Sequence, residues 1–179
     1  MKNDKILHLL RQFVIEKKEP LELIIVGALA LPFYGVEFRF TYDLDAEVQK
    51  GNLEELYFFL KEKGFESDLS EDISGWSVIS MPPGYRERAK TVYKDKLITV
   101  KVLDPTDFII MKLRRGTNQD IDDALSVALR QNVNPEVLYT LYNQVLNTSI
   151  KDTSLFNFKN IFKNFMKLYE NRLNKPPQR

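Results

Sequence analysis

Pro105 separates two stretches of the sequence whose apolar residues follow different periodicities. Downstream of it, apolar residues recur every three or four positions, which predicts only helices, with breaks near 116–118, 131–134 and 147–153. Upstream, short apolar or alternating runs predict strands around 22–26, 39–48, 65–68, 76–81, 86–94 and 96–103. A chain with its strands first and a purely helical end predicts an α+β fold, a mixed sheet flanked by helices with a C-terminal helical half.

Two further helices are predicted within the strand-rich stretch. Residues 3–17 carry an apolar stripe at helical spacing, and we expect this helix to pack on the sheet. A second helix begins after Gly51 and ends at Gly64, because glycine is the residue that most readily terminates a helix. We therefore predict a core over residues 1–115 and a helical extension over 116–179, packed together as one structural unit.

Composition restricts the chemistry that the chain can support. Its 179 residues are 44% hydrophobic, enough for a sizeable core, and a net charge of +1 gives no global attraction to nucleic acid or membrane. It has no cysteine, and its one histidine, His8, lies among apolar residues of the first predicted helix, where packing is the better interpretation. The sequence therefore argues against a catalytic thiol, a zinc site with several histidines and a Ser-His-Asp triad. We expect a soluble, cytoplasmic protein without signal peptide or membrane span.

The strongest chemical signal is a pair of aspartates one residue apart, Asp43 and Asp45. In an extended strand both carboxylates point to one side and Leu44 to the other. Two adjacent anions repel each other unless a cation lies between them, and hard oxygen ligands suit Mg²⁺ or Mn²⁺ holding substrate phosphates. The alternative is that Asp-x-Asp has arisen by chance on a solvated strand face or in a turn.

The residues upstream favour the metal-phosphate interpretation. A short apolar strand runs into Gly27, and small and apolar residues follow at helical spacing. Without a side chain, Gly27 would allow a phosphate to approach the backbone closely, and the following helix would aim its N-terminal amides at that anion. We therefore expect the glycine turn and the two carboxylates to flank one pocket.

From Val26-Gly27-Ala28 to Asp43-Leu44-Asp45, the sequence resembles the opening motif of the nucleotidyltransferase superfamily. In that family a strand leads to a Gly-Gly or Gly-Ser turn and a short helix, and the next strand carries the metal-binding Asp-x-Asp. Ala28 stands where the second glycine or serine is usual. The resemblance implies a nucleotidyltransferase-like fold.

A later block resembles the lysine-and-aspartate helix pattern of AbiEii-like toxin nucleotidyltransferases and their uncharacterised relatives. The block runs from Leu103 to Leu113 and continues with Asp120-Ile121-Asp122-Asp123. Thr117 departs from the pattern, because relatives often carry an arginine there. Both blocks occur in the expected order, and together they span roughly residues 20–130.

The resemblance implies transfer of a nucleoside monophosphate from a nucleoside triphosphate (NTP), with Mg²⁺ or Mn²⁺ as cofactor. The acceptor stays open among RNA such as tRNA, a protein or a small molecule, and one implied role is the toxin of a toxin-antitoxin pair, with an antitoxin as partner. Asp43 and Asp45 would hold the metal, Lys112 would neutralise triphosphate charge, and Asp120 would orient or deprotonate the acceptor. The residues implied to bind substrate are Gly27, Ala28, Arg39, Thr41 and Asp123.

Lys101 stands where superfamily members usually supply a third carboxylate, judged by its spacing to Pro105. A lysine cannot ligate a cation, although it could pair with Asp43 and Asp45 as a substitute charge. Three explanations stay open: a different register, another carboxylate among Glu47, Asp95 and Asp104, or a site that has lost catalysis. In the last case the chain is a binding module that acts through protein contacts.

Other charged and aromatic patterns have structural alternatives. Asp120 and Asp122 fall in a first helical turn, where acids stabilise the positive end of the helix. Basic residues at 86, 88 and 90 would share one strand face, which could meet RNA or triphosphate, but a charge-protected edge strand is the favoured interpretation. The aromatic residues of the last helix suit a core or a dimer surface, so a homodimer is among the expected assemblies; they are Phe156, Phe158, Phe162, Phe165 and Tyr169.

Overall fold

The computed structural model describes residues 3–37, 41 and 43–174. Within these residues the strands are β1 (Leu21–Ile25), β2 (Leu44–Lys50), β3 (Ser67–Ser70), β4 (Lys90–Lys94) and β5 (Ile98–Val102). The α-helices are α1 (Asn3–Lys17), α2 (Leu53–Glu62), the single turn α3 (Tyr85–Arg88), α4 (Pro105–Arg115), α5 (Asn118–Arg130), α6 (Pro135–Thr148) and α7 (Thr153–Leu173). Two 3₁₀-helices span Ala28–Tyr34 and Ile73–Trp76. The fold is α+β with a C-terminal helical half, as the sequence predicts.

The five strands form one mixed sheet in the order β3-β2-β1-β5-β4. Strand β1 pairs antiparallel with β2 and parallel with β5, β2 pairs parallel with β3, and β4 pairs antiparallel with β5. One face of the three central strands β2, β1 and β5 is apolar and buried. Helix α1 contacts β5 and α2, and α2 contacts β3. The residues of the buried face are Leu21, Leu23, Ile25, Leu44, Ala46, Val48, Ile98, Val100 and Val102. The opposite face of these strands carries the charged residues.

The chain divides into two compact units that interleave along the sequence. The sheet unit comprises the chain up to Phe33, Glu37–Ile73 and Arg88–Leu103, and it holds all five strands with α1 and α2. The helical unit comprises Tyr34–Val36, Ser74–Glu87 and the chain from Asp104 onward. The predicted division between residues 115 and 116 stays a prediction.

The helix breaks predicted in the C-terminal half are confirmed, and each has a capping residue. Gly116 ends α4 with a left-handed backbone (φ 65°), and a Cβ there would lie 2.5 Å from Cδ1 of Ile161. Helix α6 begins with Asn134 as its N-cap and Pro135 in its first turn, and α7 begins with Asp152 as its N-cap. These local signals explain why the helices begin and end where the sequence predicts.

The aromatic residues of α7 divide between core and surface. Four of them, Phe158, Phe162, Phe165 and Tyr169, are buried, which confirms the core interpretation for these positions. Tyr142 of α6 stacks on Phe162 with ring centroids 3.9 Å apart. Phe156, in contrast, remains 64% exposed.

One predicted strand is wrong, and another is confirmed only in its second half. Of residues 76–81, Trp76 ends a 3₁₀-helix and the others form no strand, because serine hydroxyls bond the local backbone instead: Ser77 accepts from the amide of Ile79, and Ser74 from that of Met81. In the segment 86–94, the helical turn α3 precedes β4, so the basic residues at 86 and 88 do not share a strand face with Lys90. Strand β4 lies at the sheet edge, and this confirms the edge-strand interpretation for Lys90 and Lys94, which are exposed.

None of the helices in the described part of the chain combines the length and apolar content that a membrane crossing requires.

Candidate functional site

Gly27 lies two residues beyond the end of β1, directly against Asp45 of β2. The backbone amide of Val26 donates a 2.9 Å hydrogen bond to the carbonyl oxygen of Asp45. A Cβ built on Gly27 would lie only 2.7 Å from Cβ and Cγ of Asp45, and it would overlap the Oδ2 carboxylate oxygen. Position 27 is therefore restricted to glycine by the space that the Asp45 side chain occupies, so the predicted proximity of glycine and carboxylate is found in the structure.

The two aspartates of the predicted metal site lie at the start of β2. Asp43 immediately precedes the strand and is exposed, and its amide donates to the hydroxyl of Thr41 at 3.2 Å. Asp45 is half-buried, on the face of β2 opposite to the buried side chains of Leu44 and Ala46. Arg39 lies outside the described residues. Thr41 thus fixes the backbone that leads into the aspartate pair.

Ala28 begins the 3₁₀-helix that follows Gly27. The amide of Ala30 donates to the carbonyl oxygen of Gly27 at 3.0 Å, which closes the first turn of this helix. Ala28 itself is 9% exposed. A small residue fits this nearly closed position, where the superfamily usually has glycine or serine.

Lys101 lies on β5, on the same side of the sheet as Glu47 of β2, because both residues pair in register with Ile24 of β1. Its ammonium group forms a salt bridge with Glu22 and contacts Oε1 of Gln49 at 3.4 Å. Among the described residues, Lys101 therefore pairs with Glu22 and Gln49, and not with Asp43 and Asp45 as the sequence had left open.

Each of the three alternative carboxylates has structural partners. Glu47 is fully buried and accepts from the amide of Ile73 at 3.0 Å. Asp104 is the N-cap of α4 and accepts from the amide of Thr106. Asp95 accepts from the amide of Leu97 among others, and these hydrogen bonds lower its pKa. Across the residues that the structure describes, no three acidic or histidine side chains lie close enough together to hold a metal ion.

Asp68 is a neighbour of the site that the sequence did not reveal. Strand β3 pairs with β2 so that Asp68 stands directly opposite Asp45, and Asp68 is exposed. Side chains at paired positions of adjacent strands point to the same face, and like charges placed there repel. No local pattern marks Asp68, because its position depends on how two strands separated by α2 come to pair.

Lys112, Asp120 and Asp123 come together in the helical unit, as a buried ion cluster between α4 and α5, and the exposed Arg115 binds this cluster from its solvent side. The ammonium nitrogen of Lys112 lies 2.9 Å from Oδ2 of Asp123 and 3.4 Å from Oδ1 of Asp120. Arg115 binds Asp120 through two nitrogens, at 2.6 and 2.7 Å. All three predicted residues are buried, so their charges are balanced within the fold.

Asp120 also belongs to a capping box at the start of α5. Its carboxylate accepts from the amide and the hydroxyl of Thr117, and the Thr117 hydroxyl accepts from the amide of Asp120. Asp122 is exposed on another side of the helix. The capping interpretation of Asp120 is thus observed directly, whereas roles in a nucleotide pocket stay predictions.

The surroundings of Asp120 have a consequence for stability in acid. Burial raises the pKa of this carboxyl group, but the hydrogen bonds from Arg115 and Thr117 and the charge of Lys112 outweigh it, and the pKa falls from 3.8 to about 2. Because the folded-state pKa lies below the ordinary value, the stabilisation is complete above about pH 4 and is lost as the pH falls towards 2.

We expect this carboxylate to contribute about 2 kcal/mol to the free energy of unfolding at neutral pH. Urea titrations between pH 5 and pH 2 measure the effect. Asp120→Asn should remove a large part of the stability loss between pH 4 and pH 2, whereas Asp122→Asn, at an exposed position of the same helix, should leave it unchanged. A pH profile of Asp120→Asn that matches the wild type would contradict the low pKa.

The protein-family comparison agrees with this architecture. A family model described as "Nucleotidyltransferase of unknown function (DUF6036)" matches residues 4–173, nearly the whole chain. The chain therefore belongs to this nucleotidyltransferase family, and the superfamily predicted from the two sequence motifs is confirmed. The more specific resemblance to AbiEii-like toxins stays a prediction. No curated protein and no solved structure gave a significant match.

Proposed function

We propose that the protein is a nucleotidyltransferase that uses Mg²⁺ or Mn²⁺ to move a nucleoside monophosphate from an NTP to an acceptor. The observation that carries the proposal is the contact between Gly27 and the carboxylate of Asp45, in a chain that belongs to a nucleotidyltransferase family. This contact joins the glycine turn and the acidic strand, which are the two parts of the superfamily's opening motif.

The residues present fit a divalent cation of this kind. Asp43 and Asp45 offer hard carboxylate oxygens, one exposed and one half-buried, at the start of the same strand. Magnesium is commonly held by only one or two protein carboxylates, with water and substrate phosphates as the remaining ligands, so a third carboxylate is not required. When bound, the ion would supply charge stabilisation for the transferring phosphoryl group.

The chain's own residues would act by positioning. Gly27 leaves the space that the Asp45 side chain needs, and Thr41 holds the backbone amide of Asp43. Ala28, Arg39 and Thr41 are the proposed contacts to the substrate. For Lys112, Asp120 and Asp123, the buried contacts favour helix packing over contact with the triphosphate.

The biological setting is proposed from the resemblance to AbiEii-like toxins. This resemblance favours a role as a toxin that acts in the cytoplasm, where NTPs and Mg²⁺ are present. Its partner would be an antitoxin, and its acceptor would be RNA, a protein or a small molecule. Gene neighbourhood tests this role, because an adjacent gene for a small regulator is expected for a toxin-antitoxin pair.

A second candidate is a nucleotidyltransferase-fold binding module without turnover, which acts through protein contacts. Two observations favour it. Lys101, paired with Glu22, occupies the position expected for a third carboxylate, and the described residues contain no cluster of three acidic or histidine side chains suited to a metal.

Incubation with each of the four NTPs, labelled at the α-phosphate, distinguishes the two candidates. With Mg²⁺ or Mn²⁺ and a cell extract, we expect the label to appear on an acceptor, and we expect EDTA to prevent this. Calorimetry should in parallel detect nucleotide binding that depends on the metal. If neither transfer nor metal-dependent binding occurs, the enzyme proposal fails and the binding module remains.

A further inference from the structure

Helix α7 presents a regular basic face to solvent. Lys159, Lys163 and Lys167 are all exposed and follow one another at four-residue intervals, so they lie one turn and about 6 Å apart along one side of the helix. Asn160 and Asn164 accompany them on this side. The opposite side of the helix is buried in the core. We call these five residues the α7 basic face.

No acid lies between the lysines of this face, and the first acid after them along the helix is Glu170, three residues beyond Lys167. From residue 153 to residue 169 the sequence contains no aspartate or glutamate. In the part of the chain that the structure describes, none of the three lysines takes part in a salt bridge. An anionic partner would therefore meet three evenly spaced ammonium groups without displacing an internal acid.

A groove of about 480 Å³ adjoins the basic face at the turn between α6 and α7. Phe156, a residue that is 64% exposed, forms part of its wall one turn before Lys159. Lys151 and Lys159 also line the groove. The groove also contains one acid, Asp152, which is the N-cap of α7 and accepts a hydrogen bond from the amide of Leu155. The negative charge of Asp152 therefore interacts with the positive end of the helix dipole. The groove thus combines an exposed aromatic ring with two cations.

We infer that the α7 basic face and this groove bind single-stranded nucleic acid. The three lysines would contact successive phosphates, and Phe156 would stack on a base that enters the groove. Positively charged tracks that carry aromatic stacking positions are the usual means of binding single strands without strong sequence preference. The inference concerns binding alone and is independent of nucleotidyl transfer.

An acidic protein segment is the competing partner, and two features argue against it. An exposed aromatic ring beside the first lysine offers a flat surface suited to a base. The asparagines between the lysines offer both hydrogen-bond donors and acceptors. Bases and sugars can pair with both kinds of group, whereas carboxylates only accept and would leave the asparagine acceptors unused. Charge alone would suit either partner, whereas the ring and the amides together favour nucleic acid.

Fluorescence anisotropy of the full chain with a labelled 12-nucleotide RNA, without NTP or added metal, tests the inference. The variant Lys159→Gln/Lys163→Gln/Lys167→Gln should bind about a hundredfold more weakly at 100 mM salt, and the slope of log affinity against log salt should fall by about 2. Lys50→Gln/Lys61→Gln/Lys63→Gln removes the same charge at exposed positions of the sheet unit, and it should retain wild-type affinity and slope. Thermal unfolding shows whether each variant is folded.

Phe156→Ala tests the stacking step separately and should weaken binding about tenfold without changing the salt slope. Leu168→Ala, at an exposed position of the same helix, is its control and should have no effect. DNA of the same sequence shows whether the site distinguishes the two sugars. The inference is overturned if the wild type does not bind RNA, whether or not it binds poly-glutamate, if the α7 triple-lysine variant binds RNA like the wild type, or if Phe156→Ala does not weaken binding. Because turnover is not measured, a failed transfer reaction would leave these results unaffected.

Discussion

Replacing Asp43 and Asp45 together with asparagine should lower the rate of label transfer by about a thousandfold or more. Asparagine keeps the size of the side chain and removes the two negative charges that the proposed metal needs, and metal ions contribute several kcal/mol of charge stabilisation to reactions of this type. Initial rates at saturating NTP measure the loss, and calorimetry should show that metal-dependent nucleotide binding is lost with it.

Asp122→Asn is the matched control for this double variant, because it removes an exposed aspartate that has no place in the proposed site. It should transfer label at the wild-type rate. Transfer that persists in the double variant would show that the activity does not depend on this carboxylate pair, and the assignment of the metal site would then be wrong.

Gly27→Ala tests the same site without removing a charge. The new methyl group would lie 2.7 Å from Cβ of Asp45, so the Asp45 side chain or its strand must shift. A displacement of about 1 Å at a reacting group can cost about a hundredfold in rate, and we expect a loss of this size. Gly75→Ala is the control, because a Cβ at Gly75 meets no atom within 4 Å. Wild-type transfer by Gly27→Ala would show that the close contact does not position the carboxylate.

The second large effect concerns the buried ion cluster. Lys112→Met should lower the free energy of unfolding by about 3–5 kcal/mol, because it leaves buried carboxylates of Asp120 and Asp123 without their common cation. Arg115 still binds Asp120 in this variant, so the loss of the Lys112 cation affects Asp123 more than Asp120. Urea unfolding measures the loss, and Lys61→Met at an exposed helix position should change stability by less than about 0.5 kcal/mol.

A second substitution separates lost charge balance from lost packing. In Lys112→Met/Asp123→Leu the buried carboxylate that lost its closest cation is absent as well, and we expect much of the stability to return. A double variant as unstable as Lys112→Met alone would contradict this explanation. If Lys112→Met instead retained its stability and lost nucleotide binding, the pocket role that the resemblance implies for Lys112 would be supported.

Much of the fold could be predicted because its signals are local. The helix breaks of the C-terminal half coincide with caps at Gly116, Thr117, Asn134 and Asp152, which act within one turn of the chain. The wrong strand at 76–81 and the wrong first half of the strand at 86–94 have equally local causes: serine hydroxyls bond nearby amides in the first, and a single helical turn replaces the strand in the second. Hydrophobic periodicity does not report such side-chain bonds, so it overestimated the number of strand residues.

The sequence by itself determined most of the helices and strands, the family, and the motif that combines a glycine turn with two acids, because periodicity, capping and motifs depend on neighbouring residues. Only the tertiary structure decided that Asp45 fills the space over Gly27, that Asp68 stands opposite it and that Lys101 pairs with Glu22. These contacts depend on the register of strands that are distant in the chain, and a shift of one residue would send each side chain to the other face.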